Sequence, residues 1–267
     1  MSILSKIVKN KKKEVELAKK KTPVEALLKE IMKSPANRNF RDAFEYNDFV
    51  IIGELKKKSP SKGTLKGTID VKKISGIYER AGIKAMSVVT DKKFFDGNPM
   101  WIQDIKKNAS VPVLRKDFVI DEYQIYESRF YRADALLLIA SVLEKRVLAQ
   151  FIKKTHFLNM TPVVEASTPD EVKKALSAGA EIIGINARDL KTFKINLGKI
   201  KSLIKYIPRD KIVICESGIT APDDIDEILV DEKIKGVLVG TAFMKAKGER
   251  EIKELAQGII NRAKRRF

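Results

Sequence analysis

This chain is poor in sulfur and imidazole: it has one cysteine, Cys215, and one histidine, His156, in 267 residues. A single cysteine rules out an intrachain disulfide and fits a reducing compartment, so a cytoplasmic location is expected. His156 follows a lysine-rich segment and reads as a surface or boundary residue, which excludes a histidine-based triad or metal site. No metal ligand set is expected. Cys215 lies inside the apolar run KIVIC and reads as a small core residue rather than a nucleophile.

Long hydrophobic runs are also missing. None approaches the roughly 18 residues that span a bilayer, so no membrane partner is expected. The opening MSILSKIVKNKKKEVELAKKK lacks the apolar stretch and cleavage site of a secretory signal. No Gly-x-Gly-x-x-Gly follows the first strand-like run, which counts against a dinucleotide-binding domain. Acidic residues are outnumbered, 35 against 53 lysines and arginines, for a net charge of +18. The basic residues are spread along the chain and mixed with acidic ones, with no aromatic-interleaved stripe. General surface charge is therefore favoured over a nucleic-acid groove, and such a field steers small anions inward.

What the chain does contain is a rhythm. Short β-rich runs fall at 48–54 (DFVIIGE), 84–90, 111–116, 133–140, 161–165, 181–186, 211–216 and 234–240. Between them lie amphipathic segments such as DVKKISGIYERAG, VLEKRVLAQFIKKT, TPDEVKKALSAGA and APDDIDEILVDEK. Thr168 and Thr220 offer caps, and Gly82 and Gly179 offer stops. Eight strands alternating with helices predict a (β/α)8 TIM barrel of the α/β class. Residues 1–47 read as an N-terminal helical extension, with Pro23 in a first turn, and 48–267 as the barrel, all in one domain.

A barrel places its chemistry at the C-terminal ends of its strands. Those ends are polar here: Glu54-x-Lys56, Lys116, Glu165, Asn186 with Arg188, Glu216-Ser217-Gly218 and Gly240-Thr241. The fourth strand ends without charge, so Ile139 is expected to form an apolar wall. Glycines in CESG and LVGT fall where barrels hold a phosphate on backbone N–H groups. The lysine run of GELKKKSPSKG (residues 53–63) thus reads as part of an anion cradle. Lys56 and Ser59 are expected to face the substrate, with Lys57, Lys58 and Lys62 solvated.

These stretches together resemble one family. GELKKKSPSKG, VVTDKKFFDG, VPVLRKDFVIDEYQI, ADALLLIASVL, PVVEAS, IGINARDLKTFKIN, VICESGI and VLVGTAFM are similar, in order and spacing, to indole-3-glycerol phosphate synthase. The resemblance implies a carbon–carbon carboxy-lyase of tryptophan biosynthesis. Its substrate is 1-(2-carboxyphenylamino)-1-deoxyribulose 5-phosphate, which loses carbon dioxide and water as the indole ring closes. It implies no metal or organic cofactor, a small phosphosugar ligand, no nucleic acid and a monomer.

Carried over by position, the catalytic set is Glu54, Lys56, Lys116, Glu165 and Asn186. Lys116 looks like the general acid for ring closure, and Glu165 like an acid/base carboxylate across the mouth from it. Lys56 looks like the partner of the anthranilate carboxylate, and Glu54 like the group that holds the lysine network. Asn186, Arg188, Glu216 and Ser217 resemble substrate-positioning groups. Phe95 and Phe118 resemble the aromatics that wall the anthranilate ring, and Ser59, Gly218, Gly240 and Thr241 match phosphate-binding positions. Crowding Lys56 beside Lys116 predicts at least one lysine depressed toward neutrality, opposed by Glu54 and Glu165.

Two other readings remain. Phosphoribosylanthranilate isomerase, another barrel, normally uses a cysteine and an aspartate at strand ends, whereas strand one here ends in Glu-x-Lys. A nucleic-acid-binding protein is suggested by the charge alone, and binding that persists near physiological salt would favour it.

Overall fold

The computed structural model describes residues 2–60, 63–188 and 194–265. Eight parallel strands close into a barrel, and all eight expected strands are present, their ends displaced by no more than a residue or two. They are β1 (Val50–Leu55), β2 (Ala85–Val89), β3 (Val113–Lys116), β4 (Ala135–Ile139), β5 (Thr161–Ala166), β6 (Ile182–Asn186), β7 (Ile212–Glu216) and β8 (Ile234–Val239). The ring closes where β1 pairs with β8, Val50 opposite Gly236 through Gly53 opposite Val239.

Side-chain alternation divides each strand between two cores. Val50, Ile52, Ala85, Leu114, Leu137, Val163, Ile182, Ile214 and Leu238 fill the barrel lumen, joined by Phe40 and Phe44 from the segment before β1. Their neighbours Ile51, Met86, Val113, Leu136, Val164, Ile183, Val213 and Val237 pack outward under the helices. Each fully buried aliphatic side chain contributes about 1.5–3 kcal/mol. That apolar frame is what allows the last inward position of several strands to carry charge.

The helices follow local chemistry. Asp70 caps Val71–Arg80 by accepting from the Lys73 N–H, and Thr168 caps Pro169–Ser177 by accepting from the Glu171 N–H. Gly82 and Gly179 follow these helices with φ of +82° and +93°. The segment APDDIDEILVDEK departs from expectation: its helix is only Asp224–Ile228, and Thr220 is not its cap. The Asp224 carboxylate instead accepts from the Thr220 N–H and hydroxyl and from the Ala221 N–H, which holds the preceding backbone in a loop. A helix this short leaves the following residues to turn early into β8.

The N-terminal extension forms two helices, Ile3–Lys21 and Val24–Lys33, and then a short third one, Asp42–Glu45. Pro23 stands at the cap of the second helix, one position before its first turn. Tyr123 ties the first helix to the barrel, its hydroxyl donating to the carbonyls of Ala18 and Thr22.

Near the end of the barrel opposite the strand C-termini lies a buried ion pair. Lys106 donates to both oxygens of Asp134, at 2.6 and 2.7 Å. Asp134 also accepts from the backbone N–H groups of Arg38 and Val113, both at 2.8 Å. The carboxylate is thus satisfied on every side, which is what allows it to be fully buried.

Candidate active site

A cavity opens at the C-terminal ends of the strands, and every residue singled out from the sequence as a site residue lines it. The strand register explains why. Glu54 lies opposite Ser87, Lys116 opposite Val89, Glu165 opposite Ile139 and Glu216 opposite Asn186, all at the last inward level. Leu137, Ile139 and Leu238 supply the apolar floor and wall. Ile139 was expected there. Leu137, two positions below the end of β4, and Leu238, one below the end of β8, were overlooked although the period of two points to them.

The charged groups form one network. The Lys116 ammonium is ion-paired with the Glu216 carboxylate and lies 3.5 Å from Glu165. The Lys56 ammonium folds back from just beyond β1 to donate to Glu54. Glu54, Glu165 and Glu216 are all buried. Glu165 reaches Lys116 from β5, and Glu216, expected only as a substrate-positioning group, pairs with it from β7.

Burial disfavours the Lys116 ammonium, but Glu216, Glu165 and Glu54 together outweigh that, and its pKa is raised above the ordinary lysine range. The expected depression toward neutrality is therefore reversed at Lys116, because the attraction of three carboxylates outweighs burial there. The excess negative charge appears at Glu216. Burial raises its carboxyl, Lys116 opposes this, Glu165 adds to it, and the result is a pKa of about 7. Three carboxylates facing two ammonium groups leave one negative charge without a matching cation, and burial makes that charge most costly at Glu216.

Two inward glycines make this packing possible. A methyl group on Gly184 of β6 would collide with Glu216 Oε1, and one on Gly240 would collide with Glu54 Oε1. Gly240 was singled out for phosphate alone, but its bare face also accommodates the Glu54 carboxylate.

The rest of the lining is aromatic or polar. Phe95 and Phe118 form a pair with ring centroids 6.1 Å apart and planes at 34°. Asn186 accepts from the Arg188 N–H at 2.9 Å, and Arg188 bridges to Ile195. Ser217 has φ of +68° and Gly218 φ of +99°. A serine held in this region is the kind of backbone strain that clusters at working sites. Ser59 is buried in the loop after β1, where Lys58–Ser59 pairs antiparallel with Gly63–Thr64. Lys57, expected to be solvated, instead pairs with Asp96 at 2.6 Å and links this loop to the turn beyond Phe95. Lys62, together with Asp189 and Leu190 of the INARDL run, lies outside the described residues.

Cys215 is fully buried and belongs to the outer core, on the face of β7 turned away from the cavity. That removes the isomerase-like reading, which needs a cysteine at the mouth.

A closed (β/α)8 barrel whose strand ends gather two lysines, three carboxylates and glycine turns defines an enzyme that moves protons on an anionic substrate. The family model for indole-3-glycerol phosphate synthase matches residues 4–255. The indole-3-glycerol phosphate synthase of Thermoanaerobacter pseudethanolicus is 45% identical over 243 residues, covering 91% of this chain and 92% of that one. The protein of that name from Caldanaerobacter subterraneus is 44% identical over 257 residues, covering 96% and 98%. Among solved structures, 3-hexulose-6-phosphate synthase from Salmonella typhimurium superposes with a TM-score of 0.65 at 13% identity, over 82% of this chain and 100% of that one. That likeness shows the barrel alone. The chain belongs to the indole-3-glycerol phosphate synthase family, carbon–carbon carboxy-lyases of tryptophan biosynthesis.

Proposed function

We propose that the cavity binds 1-(2-carboxyphenylamino)-1-deoxyribulose 5-phosphate with its aromatic ring in the Phe95–Phe118 slot. The phosphate lies on the loops after β7 and β8, at Gly218, Gly240 and Thr241, with Ser59 closing from the β1 loop. Lys56 pairs with the anthranilate carboxylate, and Asn186, Arg188 and Ser217 orient the ribulose hydroxyls. Cations and backbone donors for two anionic groups are what such a substrate requires.

Lys116 is the general acid. As the ring carbon bearing the carboxylate attacks the ribulose carbonyl, the new carbon–carbon bond forms and Lys116 delivers a proton to the carbonyl oxygen. Carbon dioxide then leaves the ring carbon and restores the aromatic system. In the dehydration that follows, one group protonates the departing hydroxyl and another takes a ring proton. Glu165 fits the base, Lys56 the acid, and Glu54 holds Lys56. Glu216 keeps Lys116 charged and aimed. The single observation that carries this reading is the Lys116 side-chain nitrogen held between Glu216 and Glu165 in a cavity that also contains the aromatic pair.

The lone cysteine, buried and unpaired, fits a cytoplasmic enzyme.

The test is turnover of this substrate, followed by the fluorescence of the indole product. Turnover by the wild type and near-complete loss in a folded Lys116→Met variant are expected. A folded wild type with no turnover overturns the proposal.

A further inference from the structure

The N-terminal helix buries a lysine against the loops that follow β2 and β3. Lys11 is only 4% exposed, and its ammonium lies 2.9 Å from Asp117 Oδ1, 3.0 Å from Asp91 Oδ2 and 2.7 Å from Glu14 Oε2. The two aspartates are themselves buried and belong to different loops, one after β2 and one after β3. With no cation between them, two buried carboxylates this close would repel one another.

Each aspartate also fixes one wall of the aromatic slot. Asp91 caps the helical turn Lys92–Phe95, its Oδ1 accepting from the Phe94 N–H at 2.8 Å. Asp117 Oδ1 accepts from the Phe118 N–H at 2.8 Å, while its Oδ2 accepts from Thr90 at 2.6 Å and from Arg115 at 3.1 Å. Asp117 also follows Lys116 directly in the chain. A single ammonium thus joins the base of the Phe95 turn to the base of Phe118.

We propose that Lys11 is a positioning residue, whose clamp on Asp91 and Asp117 sets the spacing of the Phe95–Phe118 slot and so the affinity for the aromatic half of the ligand. The proposal rests on the assignment of that slot to the anthranilate ring. It gives the N-terminal helix a part in ligand recognition although it contributes no side chain to the cavity lining. Glu14 completes the cage around the ammonium from the same helix.

The test compares Lys11→Met, Lys11→Arg and the double variant Lys11→Met/Asp91→Asn. In the double variant asparagine still caps the Phe95 turn, and one orphaned carboxylate is removed, so the fold survives even where the single variant fails. Inhibition constants are measured for the indole product, which fills the slot, and for inorganic phosphate, which does not. The expected result is a product constant raised about two- to tenfold, the worth of an aromatic contact, with the phosphate constant unchanged. KM should rise with the product constant and kcat should change less, and Lys11→Arg should restore the product constant. Equal weakening of both ligands, or neither, in a folded variant overturns the proposal. Absence of turnover in the wild type would instead remove the slot assignment beneath it.

Discussion

Lys116 and Glu216 meet across the barrel, the first from β3 and the second from β7, and their ion pair lies beside the buried carboxylate of Glu165. The pair favours the charged form of Lys116 within an apolar-floored cavity. It also forces a negative charge into the protein that the lysines do not fully neutralise.

Removal of the ammonium should abolish ring closure more than binding. Lys116→Met is expected to lower kcat by roughly 100- to 10,000-fold, the range for losing a positioned general acid. Product fluorescence gives the rate, and circular dichroism shows that the barrel is retained. A loss confined to KM would assign Lys116 to binding alone.

The elevated Glu216 carboxyl makes a prediction about stability. Its folded pKa of about 7 stands above the ordinary value of 4.5, so between these values the folded chain binds more protons than the unfolded one. This group's contribution is fully present below the ordinary value and is lost as pH rises through about 7. Glu216→Gln should therefore gain thermal stability relative to wild type as pH is raised from roughly 5 to 8, while kcat falls. Parallel melting curves at each pH test this, and the opposite trend would mean that Glu216 is stabilised as a carboxylate.

Gly184 should matter to catalysis although it is no proton donor or acceptor. In Gly184→Ala the new methyl displaces the end of Glu216, and with it the partner of Lys116. A displacement of this kind costs up to about 100-fold in rate. Steady-state kinetics would show a fall in kcat with a smaller change in KM. An unaltered kcat in a folded variant would separate the aim of Lys116 from Glu216.

The opposite end of the barrel should show the reverse pattern. Asp134 accepts four hydrogen bonds, two from Lys106 and two from backbone N–H groups. Asp134→Ala strands a buried ammonium and is expected to cost about 3–5 kcal/mol, read from urea unfolding. The folded fraction should keep its kcat and KM, since this face holds the barrel together and the other face does the chemistry. Lost activity at unchanged stability would contradict that division.

Most of the fold was legible along the chain. The short apolar runs VIIGEL, ALLLI and IIGIN announce strands, and most of the strand ends carry a polar group at the inward position. Thr168 and Asp70 cap helices by bonds to N–H groups three residues on, so their signal is local. The helix after β7 misled because Asp224 bonds backward to Thr220 and Ala221, a competition between side chain and backbone that apolar spacing does not register. The candidate site was legible as a set of residues but not as a circuit. Glu216 was not expected to pair with Lys116, and Lys116, one of two lysines of which at least one was expected to be depressed, is raised.

The sequence by itself determined which groups reach the mouth of the barrel, since inward or outward direction depends only on strand phase. Which ammonium meets which carboxylate was decided by tertiary structure alone. Charge interactions depend on distances between atoms on different strands, and β3, β5, β7 and the first helix are far apart in the chain. The same holds for Lys11: along the chain it is one lysine among many on a charged helix, and it acquires a role only because the folded helix places it between Asp91 and Asp117.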